Sequence, residues 1–234
     1  MENNIIENNI TIGIEGLVGA GKTSLCRELQ KLIPNSIILH GGNLYRGIIV
    51  AIKKSGINLA QLTEKQNENL DIKKVMDMLH VNIKIENFES VVYVGNEKID
   101  EDDLQSDEAS MAVSNVAIHA DNTKLYAFAR KLIDELKQKF NIIISGRDLV
   151  NIYPNLDYHF FIVADLEKRI ERKAIQYKNT NISMEKLKEH ILERDKLQEK
   201  AGYYKEYENT IEVDVTNCNS PKESAMEIYK RIRK

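Results

Sequence analysis

The stretch Gly16-Leu17-Val18-Gly19-Ala20-Gly21-Lys22-Thr23 fits GxxxxGK[ST], a spacing suited to holding phosphate. Glycines let a backbone curl until successive N–H groups point at phosphate oxygens. A helix opening at Lys22 adds its positive N-terminal end. Lys22 can bridge the outer phosphates, and the Thr23 hydroxyl can hold Mg²⁺. Gly16, Gly19, Ala20, Gly21, Lys22, Thr23 and Ser24 therefore form the predicted ATP site. Further along, Arg169, Arg172 and Lys173 stand at i, i+3 and i+4 of one helical face, and Arg194 follows on the next helix. Such cations can meet the charge on a phosphoryl group in transfer. A solvated face paired with Glu167 and Glu171 is the competing reading. His40 and Asp148 end short apolar runs. They are the candidate bases for an alcohol acceptor, whereas a phosphate acceptor needs positioning and charge neutralisation only. A capping role for His40, and an ion pair between Asp148 and Arg147, compete with that. His80, His119, His159 and His190 lack metal-ligand spacing.

These residues must be positioned by elements legible in the hydrophobic pattern. Buried strands are predicted at Thr11–Glu15, Ser36–Leu39, Asn141–Ile144, Tyr158–Ala164 and Thr210–Val215. Helices are predicted at Lys22–Ile33, Asn43–Lys54, Ala60–Leu79, Asp107–His119, Asn122–Phe140, Leu166–Tyr177, Ser183–Lys200 and Lys222–Arg231. Alternating residues over Asn82–Phe88, Ser90–Val94 and Glu97–Ile99, with a turn at Val94-Gly95-Asn96, predict a small antiparallel meander. Asp100–Asp103 reads as an acidic loop. The expected fold is α/β, a P-loop kinase fold with a five-stranded, mainly parallel sheet flanked by helices. In such sheets ligands bind at the carboxyl ends of the strands, where Gly16, His40 and Gly146 all fall. One domain of 234 residues is expected. Its core is about 1–80 and 120–234, with an insert about 81–119 and a helical lid about 166–201.

Bulk composition narrows the partners. The net charge of −3 gives no general basic excess for nucleic acid. No apolar run approaches the ~20 residues of a membrane helix. The polar, Asn-rich start lacks the features of a signal peptide, and Cys26 and Cys218 read as free thiols. A soluble, cytoplasmic monomer acting on a small-molecule phosphoryl acceptor is the expectation.

The segments IEGLVGAGKTSLCREL, HGGNLYRGIIVAI, DLQSDEASMAVSNVA, SGRD, DLEKRIERK and LERDKLQEKA resemble cytidylate kinases in order and spacing, from about Thr11 to Arg231. That resemblance implies transfer of the γ-phosphoryl of Mg-ATP to a pyrimidine nucleoside monophosphate, CMP or dCMP by default. It implies that Arg46 and Arg147 contact the acceptor phosphate, with His40 and Gly42 beside them. Asp148 and Ser114 would help hold the acceptor. Lys22, Arg169, Arg172 and Arg194 would surround the transferring group. The chain departs from the family pattern at His40-Gly41, Gln105, Thr123 and Lys124, Ser145, the LVNIYP that follows Asp148, Gln198 and Ala201. These departures gather on the acceptor side. A kinase for another small metabolite, with an alcohol, guanidine or phosphonate acceptor, is the second reading. A non-catalytic ATP-binding regulator is the third.

Overall fold

The computed structural model describes residues 9–56, 70–106, 109–113, 120–176, 182–205 and 207–232. Their first third contains β1 (Thr11–Gly16), α1 (Lys22–Leu32), β2 (Ser36–His40), α2 (Gly41–Lys54), β3 (Leu70–Asp71) and α3 (Ile72–Met78). Next come β4 (Val81–Glu86), β5 (Glu89–Val94), β6 (Glu97–Lys98) and α4 (Glu101–Gln105). Then follow β7 (Ala120–Asp121), α5 (Thr123–Lys137), β8 (Asn141–Ser145), α6 (Leu149–Ile152) and β9 (Tyr158–Val163). The chain closes with α7 (Leu166–Gln176), α8 (Met184–Lys200), β10 (Thr210–Asp214) and α9 (Pro221–Ile232).

Five parallel strands stand side by side in the order β10, β9, β1, β8, β2. Every residue of β1, β2 and β8 is buried. Helices cover both faces, which is why these strands read as continuous apolar runs. One face packs Ile12, Ile14 and Phe160 against Leu25, Cys26 and Leu29 of α1 and Ile228 of α9. The other packs Ile37, Ile142 and Ile144 against Ile133 of α5. α1 stops where Ile33 turns extended, because Pro34 disfavours helical backbone in the residue before it.

The meander is not a detached sheet. β5 pairs with β2 in parallel at Ile38 and Glu89, and β4 and β6 flank β5 in antiparallel fashion, so the sheet reaches eight strands among the described residues. The hairpin turn between β4 and β5 places Asn87 and Phe88 at φ 50° and 63°. The Phe88 carbonyl accepts from the Ile38 amide at 2.9 Å, which hooks the insert onto the core.

Three predicted elements differ. The acidic loop at 100–103 is the start of α4, where Glu101, Asp102 and Asp103 occupy the first turn and complement its positive end. Within the helix predicted over Ala60–Leu79, β3 precedes a shorter α3, and residues 57–69 lie outside the described residues. Of the helix predicted over Asp107–His119, residues 109–113 are helical and the remainder lies outside them.

Candidate functional site

The carboxyl ends of β1, β8 and β2 meet at one edge of the sheet. Gly16 leaves β1 at φ 140°, and a Cβ there would sit 2.1 Å from the Ile162 carbonyl of β9. Glycine is required by both conformation and space. Gly19 and Gly21 also have positive φ, and the loop they shape ends at Lys22, the first residue of α1. Lys22 Nζ donates to the carbonyls of Gly16 and Leu17 at 2.9 and 2.8 Å. Desolvation lowers its pKa well below the usual lysine value, and Arg147 and Arg194 push it the same way. A phosphate anion would reverse that pressure.

A cleft of about 720 Å³ lies over the loop. Gly19, Ala20, Gly21, Lys22, Thr23 and Ser24 line it, as do His40, Gly42, Arg46, Arg147, Arg172 and Arg194. Arg46 donates to Asn43 at 3.0 Å, and Arg147 donates from Nε to Gln198 at 2.6 Å. Gln198 is neutral, so it orients Arg147 without cancelling its charge. Arg172 reaches across the loop to the carbonyls of Ala20, Val215 and Cys218. Lys173 also lines the cleft.

Two predicted residues are turned elsewhere, and a third is not described. Arg169 is buried behind the loop, where it donates to the Val18 carbonyl at 3.1 Å and pairs with Asp195. Asp148 accepts from Tyr126 at 2.7 Å and from Asn151 at 2.6 Å, in place of an ion pair with Arg147. Ser114 lies outside the described residues. His40 is buried at the start of α2. Its Nε2 stands 2.9 Å from Glu89, which Arg27 also grips at 3.0 Å. The His40 contact and then Arg27 hold the Glu89 carboxyl down at about 2.

Four supporting residues carry little signal of their own in the sequence. Asp195 accepts from the Val18 amide at 3.0 Å and from Tyr204 at 2.6 Å, so helix α8 clasps the phosphate loop directly. Val18 itself packs among Ile170 of α7 and Leu187 and Ile191 of α8. Glu15, buried in β1, takes the amide of Leu149 and so fixes the turn that carries Arg147. Tyr204, readable only as packing from its pairing with Tyr203, packs edge-on against Phe161 and also bonds Asp195 and Gln198. Asp195 had one available clue, the acid next to Arg194.

Thr23 offers a hydroxyl oxygen at the start of α1, suited to a hard cation. Magnesium keeps several waters and relies heavily on substrate phosphates, so it asks few ligands of the protein. Among the described residues no cluster of three or more His, Cys, Asp or Glu could hold a metal, and no helix is long and apolar enough to cross a membrane.

Comparison with known proteins agrees with this geometry. The chain is 27% identical to a cytidylate kinase of Clostridioides difficile over 89% of this chain and 91% of that one. It is 24% identical to a cytidylate kinase of Bacillus thuringiensis over 92% of each. A solved shikimate kinase from Acinetobacter baumannii aligns with TM-score 0.39 at 17% identity, over 97% of this chain and 94% of that one, too loosely to bear on function. The cytidylate kinase family model matches residues 12–234, which includes the phosphate loop, the β4–β5 hairpin, the Arg147 turn and helices α7 and α8. With that match spanning nearly every residue that shapes the cleft, the chain belongs to the cytidylate kinase family and is an ATP-dependent kinase.

Proposed function

We propose that the chain transfers the γ-phosphoryl group of Mg-ATP to the phosphate of a small monophosphate. Nucleoside monophosphates are the first class to test, with CMP and dCMP first among them, on the family's precedent. The observation that carries this reading is the convergence of Arg46, Arg147 and Arg194 on the cleft that also holds Lys22. A donor triphosphate occupies the loop. A second anion then needs its own cations, and arginine forks match a phosphate bidentately. An acceptor phosphate oxygen forms the new bond to the γ-phosphorus as the bond to the β,γ-bridging oxygen breaks. The products are ADP and a diphosphate ester.

No base is needed, because the attacking oxygen is already anionic. Arg147 and Arg46 hold that anion, and Lys22 and Arg194 face the charge that develops in transfer. Arg172 shapes the loop from its own carbonyls. Arg169 acts through Val18 and Asp195 as a positioning residue. Asp148 supports the turn through Tyr126 and α6. Thr23 would hold Mg²⁺, which when bound neutralises charge shared by the β- and γ-phosphates.

The test is ADP release with CMP, dCMP, UMP and AMP offered in turn. One or more should stimulate turnover well above the rate with ATP alone. If none does, the nucleotide acceptor is wrong. Lys22→Ala should lower kcat/KM about 10²- to 10³-fold, the usual loss for one transition-state contact. Unchanged activity in that variant would remove the phosphate loop from the mechanism.

A further inference from the structure

Helix α8 ends in a cap that sends two neighbouring tyrosines to different places. Gly202 takes the left-handed conformation at φ 77°, and the amides of Gly202 and Tyr203 donate back to the carbonyls of Glu199 and Gln198 at 2.9 and 3.0 Å. Glycine just past the helix permits that turn, and the two bonds fix the direction of the residue that follows. Tyr204 faces the phosphate-loop side, where its hydroxyl donates to Asp195 at 2.6 Å and its ring stands edge-on to Phe161. Tyr203 faces a separate cavity of about 130 Å³, half-buried on the wall that α8 supplies with Leu197 and Gln198. That volume is close to the roughly 150 Å³ of a cavity that accepts a benzene ring.

Arg147 and Gln198 line both this cavity and the cleft over the phosphate loop. An acceptor whose phosphate is held at Arg147 can extend its nucleoside into one space or the other, and the donor triphosphate takes the cleft. The base then enters the cavity and meets Tyr203. Burial, and after it Asp148, pushes the Tyr203 phenol up to about 12, against an opposing pull from Arg147. The phenol therefore keeps its proton at neutral pH. Both charged residues act on its hydroxyl, so the side chain reaches toward the turn that carries them. An aromatic face at this place suits any base, because every base has a π-face. The competing role for Tyr203 is packing alone, since the residue after such a cap commonly touches the last turn of its helix. A leucine would serve that packing as well as a tyrosine, so the two roles part on substitution.

We propose that Tyr203 is a specificity-determining residue for the acceptor: its ring stacks on the base of a nucleoside monophosphate whose phosphate is held at Arg147. This inference rests on the phosphotransfer reading above and leaves its chemistry unchanged. Gln198 orients Arg147, and Tyr203 is bonded to Gln198 through the helix cap, so one helix end meets the acceptor at both its phosphate and its base. Stacking tolerates a change of base. Tyr203 therefore sets affinity for nucleotides as a class, and hydrogen-bonding groups choose among them.

Calorimetry on the full chain, saturated with Mg²⁺ and a non-hydrolysable ATP analogue, tests it, with CMP, dCMP, UMP and AMP titrated in turn. Tyr203→Leu is expected to weaken the tightest of them about 5- to 150-fold, the usual loss for one stacked base. Tyr203→Phe should stay within about threefold of wild type, since it keeps the ring. Both variants should bind the ATP analogue as wild type does, which also checks that they fold. Full nucleotide affinity in Tyr203→Leu overturns the proposal, as do an equal loss in Tyr203→Phe and binding by none of the four nucleotides. Tyr203→Trp gives a second readout, because the chain has no tryptophan of its own. Its emission should be quenched by the bound nucleotide and unchanged by inorganic phosphate. Unchanged emission at saturating nucleotide overturns the stacking even if Tyr203→Leu does not fold. ADP release with the same four nucleotides separates the two levels. Stacking with no turnover of any nucleotide would sink phosphotransfer and leave the role of Tyr203 standing. Turnover with full acceptor affinity in Tyr203→Leu would do the reverse.

Discussion

Asp195 takes the Val18 amide, the Tyr204 hydroxyl and the Arg169 guanidinium at once, and both members of the ion pair are largely buried. Removing its charge leaves Arg169 without its carboxylate. Asp195→Asn is expected to cost about 3 kcal/mol, at the lower end for breaking a buried pair, read by chemical denaturation. Asp195→Glu should recover little, since the same three donors must be met from a longer side chain. Glu89 gives a pH signature. Its folded carboxyl titrates near 2, held down by His40 and then Arg27, against about 4.5 when unpaired. A lowered acid contributes stability above its unfolded value and loses it as pH falls through the folded one. The stability gap between wild type and Glu89→Gln should therefore shrink as pH falls from about 4.5 to 2. A gap that stays constant through that range would assign Glu89 no such role. Of the candidate site residues, the backbone conformation of the phosphate loop was legible, because glycine spacing reports it directly. The placements of Arg169 and Asp148 were not. A one-dimensional charge pattern puts Arg169, Arg172 and Lys173 on one face. It does not show that Arg169 is met by a carboxylate from the next helix, or Asp148 by a tyrosine from α5.

At the scale of elements, the β4–β5 hairpin carries a conflict of its own. Both central residues of its turn have positive φ, which suits Asn87 but not Phe88, whose side chain is 57% exposed. Phe88→Gly should stabilise the chain by about 1 kcal/mol, measured by thermal or denaturant unfolding. A loss of stability would mean that the aromatic ring makes contacts outweighing the backbone strain. The five core strands were predicted to within a residue or so at each end, because strands buried on both faces are continuous apolar runs. The attachment of the meander to β2 was hidden. It rests on the parallel pairing of Ile38 with Glu89 and on backbone bonds from the turn, which leave no trace in side-chain periodicity. The start of α4 was misread for a similar reason. Acidic clusters suit loops and helix starts equally, and only the tertiary setting separates them.

Across the whole molecule, Val18 ties the phosphate loop to helices α7 and α8. It belongs to the phosphate loop by sequence and to the lid's apolar cluster by packing. Val18→Ala should weaken the lid's docking by about 1–2 kcal/mol. Hydrogen exchange over residues 184–200 should then accelerate more than exchange in β1 and β8, which belong to the sheet core. Uniform acceleration everywhere would argue that the lid has no separate opening. The general plan was also legible at this scale, since strands alternating with helices dictate a covered parallel sheet.

Lys22 gives two of its three ammonium hydrogens to the carbonyls of Gly16 and Leu17, so the loop aims its own cation. The third hydrogen and the charge remain for an anion, on a side chain whose direction is already fixed. A single inorganic phosphate would meet that one cation and little else. A triphosphate would add contacts to the curled amides and to the helix end, so its advantage should grow with the number of its phosphates. The loop is thereby selective for valency before any base or sugar is read, and common cellular monoanions should compete poorly for it.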